Sequence, residues 1–341
     1  MEVKVAIVGC GGLGHVHGGS YGRIAGMQVV GVHDLVEERA RSLADKTGAA
    51  VYDSFDAMLE ESGCELVSVT VPSYLHKEFT IRAAAKGKHV ICEKPIALKV
   101  QDAEDMIRAC REHNVRLFIG HVVRFFPDYV HMKRNVENGA LGTIGTAHAK
   151  RAGGHPADAR PWYADESKSG GVVCDLMIHD LDFLRWTLGE VRSVYGLSRK
   201  AEGIEYASAT LVFESGAVAN VEAHWGYPGA FFTAAEIAGS TGVVRSDSTQ
   251  AKSLQIRRLE ADSPAGVVEV PQSPGFVTPY TRELEHFVDC IKSASEPLVT
   301  AQDAVLALEL ALAVRESVRT GKAVSLQETR QERQEGWTCS S

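Results

Sequence analysis

Three short stretches hold residues whose types and spacing suit chemistry. In the first, Gly9-Cys10-Gly11-Gly12-Leu13-Gly14 fits G-x-G-x-x-G, directly after an apolar run and at the opening of a helical stretch. In that context Gly9 permits a tight turn and Gly11 lets the backbone approach a pyrophosphate. Gly14 allows close helix–strand packing, while Gly12 and Leu13 complete the loop. The free N–H groups and positive dipole end of the helix that follows attract phosphate. Asp34 stands 20 residues beyond Gly14, at the end of a second apolar run. A carboxylate there accepts hydrogen bonds from adenosine ribose hydroxyls and repels a 2′-phosphate. Leu35 and Val36 follow it, with no arginine, which favours NAD over NADP. Asp34 also suits the cap of the next helix, and the two roles are compatible.

The second stretch ends Cys92-Glu93-Lys94-Pro95 and puts a charged pair at the C-terminal end of a buried strand, where open α/β sheets hold ligands. The third runs from Gly170-Gly171 to Asp175, His179 and Asp182. On a helix, Asp175 and His179 are spaced i, i+4 and share a face. Oxidising a secondary alcohol removes a hydroxyl proton and a hydride from one carbon; a nicotinamide takes the hydride, and the protein supplies a base and fixes the geometry. His179 is the candidate base, because imidazole titrates near neutrality. Asp175 orients that ring or binds a neighbouring hydroxyl, and Lys94 hydrogen-bonds the reacting oxygen. Pro95 reads as a rigid turn element, cis or trans. Each residue has a plainer use: Lys94 and Glu93 as a surface ion pair, His179 as a core histidine, Asp175 as a helix cap. Asp175, His179 and Asp182 make too thin a ligand set for zinc, so no metal is expected.

Positioning these groups requires alternating strands and helices. Apolar runs at 3–8, 29–33, 66–71, 89–92 and 115–119 alternate with helical patterns at 15–25, 36–47, 54–61, 75–86 and 100–113. That alternation predicts a doubly wound parallel sheet. After about residue 122 the pattern changes. Helices are expected at 127–138, 175–188, 279–293 and 301–320. Strands at 143–151, 191–199, 206–214, 217–225, 233–238, 242–246 and 253–258 are separated by turns, which implies serial antiparallel pairing. The expected fold class is therefore α/β: a Rossmann domain over 1–122, then an α/β domain over 123–341 with a large, mostly antiparallel open sheet. The long final helix is long enough to pack back on the Rossmann domain, and the tail after residue 325 is polar.

Composition narrows the class. With 341 residues the chain is long enough for two cores. Its formal net charge of −8 and lack of a basic run argue against nucleic acid as a partner. No apolar run approaches the roughly 18 residues of a membrane span. The 7 cysteines are widely spaced with no C-x-x-C, which points to reduced thiols in a cytoplasm.

Taken together, the glycine loop, Glu93-Lys94-Pro95 and the Gly170-Gly171 stretch leading to Asp175 and His179 resemble the glucose-fructose oxidoreductase/inositol dehydrogenase (Gfo/Idh/MocA) family. The resemblance spans nearly the whole chain. It implies a two-domain NAD(P)-dependent dehydrogenase acting on a sugar, sugar derivative or inositol-like polyol, with NADP the less favoured cofactor. It places the nicotinamide near Glu93-Lys94-Pro95 and makes Thr70, Pro72 and His76 the fourth-strand loop beside it, with Glu93 fixing the backbone or Lys94. Arg124, where the chain crosses domains, falls where the family often carries an arginine, and joins the substrate candidates. So do His155, Trp162 and Tyr163, whose polar and aromatic faces suit sugar rings, and Arg160 beside them. Relatives commonly form dimers or tetramers through the C-terminal sheet. Some hold NAD tightly for oxidoreduction or elimination, and a non-catalytic NAD sensor on the same scaffold is a third use.

Overall fold

The computed structural model describes residues 2–250, 256–258, 267–269 and 277–327. The N-terminal half alternates β1 (Val3–Val8), α1 (Gly12–Tyr21), β2 (Met27–His33), α2 (Glu37–Thr47), β3 (Ala50–Val51), α3 (Phe55–Glu61), β4 (Leu66–Val69), α4 (His76–Ala85), β5 (His89–Glu93), α5 (Val100–Glu112) and β6 (Leu117–Gly120). The strands pair in parallel in the order β3-β2-β1-β4-β5-β6. Helices cover both faces, so β1 and β4 are apolar nearly throughout rather than alternating. The order reverses beside β1, and a crevice opens there at the carboxyl ends of β1 and β4. Helix α1 begins at Gly12, earlier than the apolar pattern from 15 indicated, because the glycine loop itself forms the first turn.

The second half contributes α6 (Pro127–Glu137), β7 (Ile144–Gly153), α7 (Glu166–Ser169), a π-helical turn (Val173–Met177), α8 (Ile178–Leu188), β8 (Val191–Ala201), β9 (Ile204–Phe213), β10 (Val218–Trp225), β11 (Phe232–Gly239) and β12 (Val243–Asp247). These strands form a sheet ordered β12-β11-β7-β10-β9-β8, closed by the short strand Val324–Ser325. The alternating burial of β9 shows one face packed on helices and the other open. Pairing is antiparallel except where β10 runs parallel to β7, which inserts between β10 and β11. Serial antiparallel pairing fails there because the segment after β7 carries helices and is long enough for a parallel crossover. Of the strand expected at 253–258, Ile256–Arg258 pairs with Val267–Glu269; the rest of it, Cys339 and the tail beyond 327 lie outside the described residues.

Two late helices join the halves. Helix α9 (Pro279–Ser293) packs Leu284, Phe287 and Val288 against Val5, Ile7 and Phe118 of the first sheet. The Phe118 and Phe287 rings stack with centroids 5.0 Å apart. Helix α10 (Ala301–Thr320) turns Val305 and Leu308 to the first core and Leu310 and Val314 to the second. A Rossmann face is thus finished by chain nearly 170 residues downstream of β6, which no local pattern announces.

Candidate active site

The glycine loop fits a dinucleotide for reasons visible atom by atom. Gly9 has φ +88°, and a Cβ there would lie 2.7 Å from the Thr70 backbone. A Cβ on Gly14 would lie 2.3 Å from the Gly9 carbonyl oxygen. Gly11 differs: a Cβ there would meet no protein atom within 4 Å, so the space is free for a ligand rather than filled by packing. Asp34 is held at this loop, its Oδ2 accepting from the Cys10 N–H at 2.8 Å and its Oδ1 from the Val36 N–H at 2.8 Å. Each oxygen retains a lone pair for a ribose hydroxyl. Thr70 Oγ1 donates to the Gly9 carbonyl at 2.6 Å, tying the end of β4 to the loop. Gly9, Gly11, Gly12, Leu13, Asp34, Thr70, Pro72, His76, Glu93 and Lys94 line one cavity of about 170 Å³, joined by Trp162, Tyr163 and Asp175.

At the far end of this crevice, Lys94 Nζ donates to Asp175 Oδ1 at 2.9 Å and to the Asp175 carbonyl at 2.7 Å. Both side chains are nearly buried. The Lys94–Pro95 peptide is cis. His76 fixes the adjoining backbone, its Nδ1 2.8 Å from the Pro95 carbonyl oxygen and its Nε2 3.0 Å from that of Val71. Burial holds the His76 ring below its ordinary pKa, so the neutral ring donates to only one of these carbonyls.

Beneath Lys94, Glu93 is buried between β5 and β6. Burial alone would raise its carboxyl, but His17 Nε2 lies 3.0 Å from Oε1, and that bond and charge, with Lys94, hold it below the ordinary carboxylate range. His17 Nδ1 is 3.2 Å from Ser68 Oγ, which in turn sits 2.6 Å from the Tyr21 hydroxyl. A buried polar chain therefore links α1, β4 and β5 under the crevice.

Asp175 sits in the π-helical turn just before α8, and its hydrogen-bond partner is Lys94. His179 lies in the first turn of α8, with Nδ1 buried and lacking a hydrogen-bond partner among the described residues. Burial, then the positive charges of Lys94 and Arg151, hold its pKa well below 6.5. The ring is neutral near pH 7, as a proton acceptor must be.

His155, Trp162 and Tyr163 are brought together through ring contacts. Trp162 stacks on Tyr163 with centroids 3.8 Å apart, and Trp225 meets both Tyr163 and His155 edgewise or tilted. Arg124 is placed elsewhere. It is buried, its Nε and Nη2 donating to Asp182 at 2.9 and 2.7 Å and its Nη1 to Asp303 and the Leu298 carbonyl. With its donors committed inside the fold, Arg124 does not face the crevice, and the substrate assignment expected for it is corrected to a buried ion pair.

Four residues near the site escape a sequence reading. His17 looks like any helix residue. Arg151 forms a bidentate pair with Asp180 at 3.0 Å, and its charge reaches His179. His121 is buried 3.7 Å from Asp182 with neither ring nitrogen hydrogen-bonded among the described residues. Tyr280, at the start of α9, has its hydroxyl raised by burial and by the charges of Glu93, Glu283 and Asp175. Only Tyr280 carried a signal, an aromatic at a helix start after a proline, and that signal is common. A larger hollow of about 630 Å³ between α10 and β8–β9 bears paired charges, including Arg315 with Glu166 and Lys200 with Glu205. It contains neither the glycine cradle nor Lys94, so the smaller crevice is the candidate site.

Comparison with known proteins agrees with this geometry. Residues 3–121 match the oxidoreductase family with an NAD-binding Rossmann fold, and residues 133–326 match the C-terminal α/β domain of the same family. The scyllo-inositol 2-dehydrogenase (NAD(+)) of Bacillus subtilis is 29% identical over 339 residues, covering 95% of this chain and 96% of that protein. Myo-inositol 2-dehydrogenase of Thermotoga maritima is 28% identical over 341 residues, covering 96% and 99%. The structure of myo-inositol 2-dehydrogenase from Lactobacillus plantarum superposes with a TM-score of 0.84 at 26% identity, covering 95% of this chain and 99% of that one. The cradle, the anchored Asp34 and the Lys94–Asp175 pair thus sit in a chain that belongs to the Gfo/Idh/MocA family of NAD-binding oxidoreductases.

Proposed function

We propose that the protein oxidises a secondary alcohol of a sugar, sugar derivative or inositol-like polyol, passing the hydride to NAD. What supports this reading is a set of three groups at the Lys94 end of the crevice and just beyond it in the second domain. These are the Lys94 ammonium, the Asp175 carboxylate bonded to it, and a neutral His179 one turn on.

Bound NAD supplies the hydride acceptor. The Lys94 ammonium has three donors and directs two at Asp175, leaving one for the substrate oxygen. Its charge stabilises the alkoxide character that develops there. His179 takes the hydroxyl proton, and Asp175 holds Lys94 and accepts from a neighbouring hydroxyl. Trp162, Tyr163 and His155 offer faces and edges to the sugar ring, and Asp34 accepts from the ribose. Cofactor binding falls to residues 1–122, and substrate binding and oligomerisation to 123–341. The open face of the β7–β12 sheet suits a homodimer or homotetramer. Six described cysteines are all free, which suits a reducing cytoplasm.

The test is absorbance at 340 nm with NAD or NADP against inositols, aldoses, sugar acids and glycosides. Reduction of NAD by one polyol group is expected. Silence across the panel with cofactor binding confirmed would overturn the reading.

A further inference from the structure

We infer that Arg160, supplied by the second domain, clamps the dinucleotide pyrophosphate against the glycine loop. This deepens the cofactor reading above and rests on it. Arg160 follows β7, in the irregular stretch expected to serve the substrate, yet its Nη2 lies 3.7 Å from where a Cβ on Gly12 would stand. Gly12 is the first residue of α1. The side chain lines the same cavity as Gly9, Gly11 and Asp34. It is exposed and, among the described residues, pairs with no carboxylate; its guanidinium rests on the Tyr163 ring, 5.7 Å from the centroid.

Electrostatics makes this placement informative. The N-terminus of α1 presents free N–H groups and a positive dipole end, with no acidic residue in its first turn. A guanidinium beside it adds charge of the same sign, and an anion between them would be attracted by both. A pyrophosphate carries two negative charges and offers oxygens to both, and a guanidinium fork matches it by two parallel hydrogen bonds. The loop is braced to hold the arginine there. The Arg160 N–H donates to the Pro156 carbonyl at 3.0 Å, and its carbonyl accepts from the Tyr163 N–H at 3.1 Å. Trp162, stacked on Tyr163, reaches across to Tyr74 of the first domain, 6.5 Å between centroids. The bound cofactor is thereby strapped by the domain that also holds the substrate wall, so its release requires this loop to lift.

The test is binding, which needs no turnover. Wild type, Arg160→Ala and Arg160→Lys are titrated with NAD, ADP-ribose and adenosine, following intrinsic tryptophan fluorescence and heat. Arg160→Ala should weaken NAD and ADP-ribose by about tenfold to a hundredfold, the usual range for losing hydrogen bonds to a charged group. Adenosine, which has no phosphate, should stay within about twofold, and Arg160→Lys should fall between. NAD should also leave Arg160→Ala faster in stopped flow. Unchanged NAD affinity, or equal weakening of all three ligands, would overturn the clamp. A wild type that binds no NAD would instead sink the cofactor reading itself.

Discussion

Glu283 offers a test of the buried electrostatics that is independent of catalysis. It lies on α9, wholly buried, and neither carboxylate oxygen has a hydrogen-bond partner among the described residues. Burial, then the charge of Glu93 on β5, raises its pKa well above 4.5. The folded protein therefore keeps the proton while the unfolded chain releases it above pH 4.5. Stability is present below the unfolded pKa and declines as pH rises, by about 1.4 kcal/mol per pH unit while the folded carboxyl stays protonated. The loss accumulates with each pH unit until the folded carboxyl itself ionises. Glu283→Gln keeps the shape and removes the titration. Urea unfolding at pH 5, 6, 7 and 8, followed by circular dichroism, should show the variant gaining on wild type as pH rises. A wild-type minus variant difference that stays flat over this range would mean that Glu283 is ionised in the fold, and the reasoning would fail.

Three further outcomes follow from named contacts. Lys94→Ala should lower kcat by about 10²- to 10³-fold, as for loss of an oxyanion donor, with NAD affinity nearly unchanged in direct titration; a loss under tenfold would require another group on the reacting oxygen. Because burial and the charges of Lys94 and Arg151 hold His179 low, kcat/KM should lose activity only well below pH 6.5, and an acid limb at or above that value would remove His179 as the base. Arg124→Met leaves Asp182 buried without its bidentate partner and should cost about 3–5 kcal/mol in denaturant unfolding while sparing NAD affinity; a change below about 1 kcal/mol would show that solvent reaches the pair.

The cofactor half was legible because its requirements are local. Gly9, Gly11 and Gly14 act through the backbone of one turn, Asp34 through the end of the next strand, and both lie within a single strand–helix–strand unit whose period is visible in the sequence. Lys94, Asp175 and His179 were legible as residue types at strand and helix ends, but their relations were not. Asp175, in the π-helical turn at Val173–Met177, meets Lys94 across 81 residues of chain, a contact that no local spacing announces. Arg124, a substrate candidate by its position, is committed instead to Asp182. The sequence by itself determined the alternation of strands and helices, the phosphate cradle, the ribose carboxylate and the identity of the acid–base candidates, since each follows from spacing along the chain. Only the tertiary structure decided that Arg124 is spent on Asp182, that His17 holds Glu93, that Glu283 is sealed without a partner and that Arg160 reaches the glycine loop. Those are contacts between segments tens to hundreds of residues apart, chosen by packing and desolvation, which residue order alone does not encode locally.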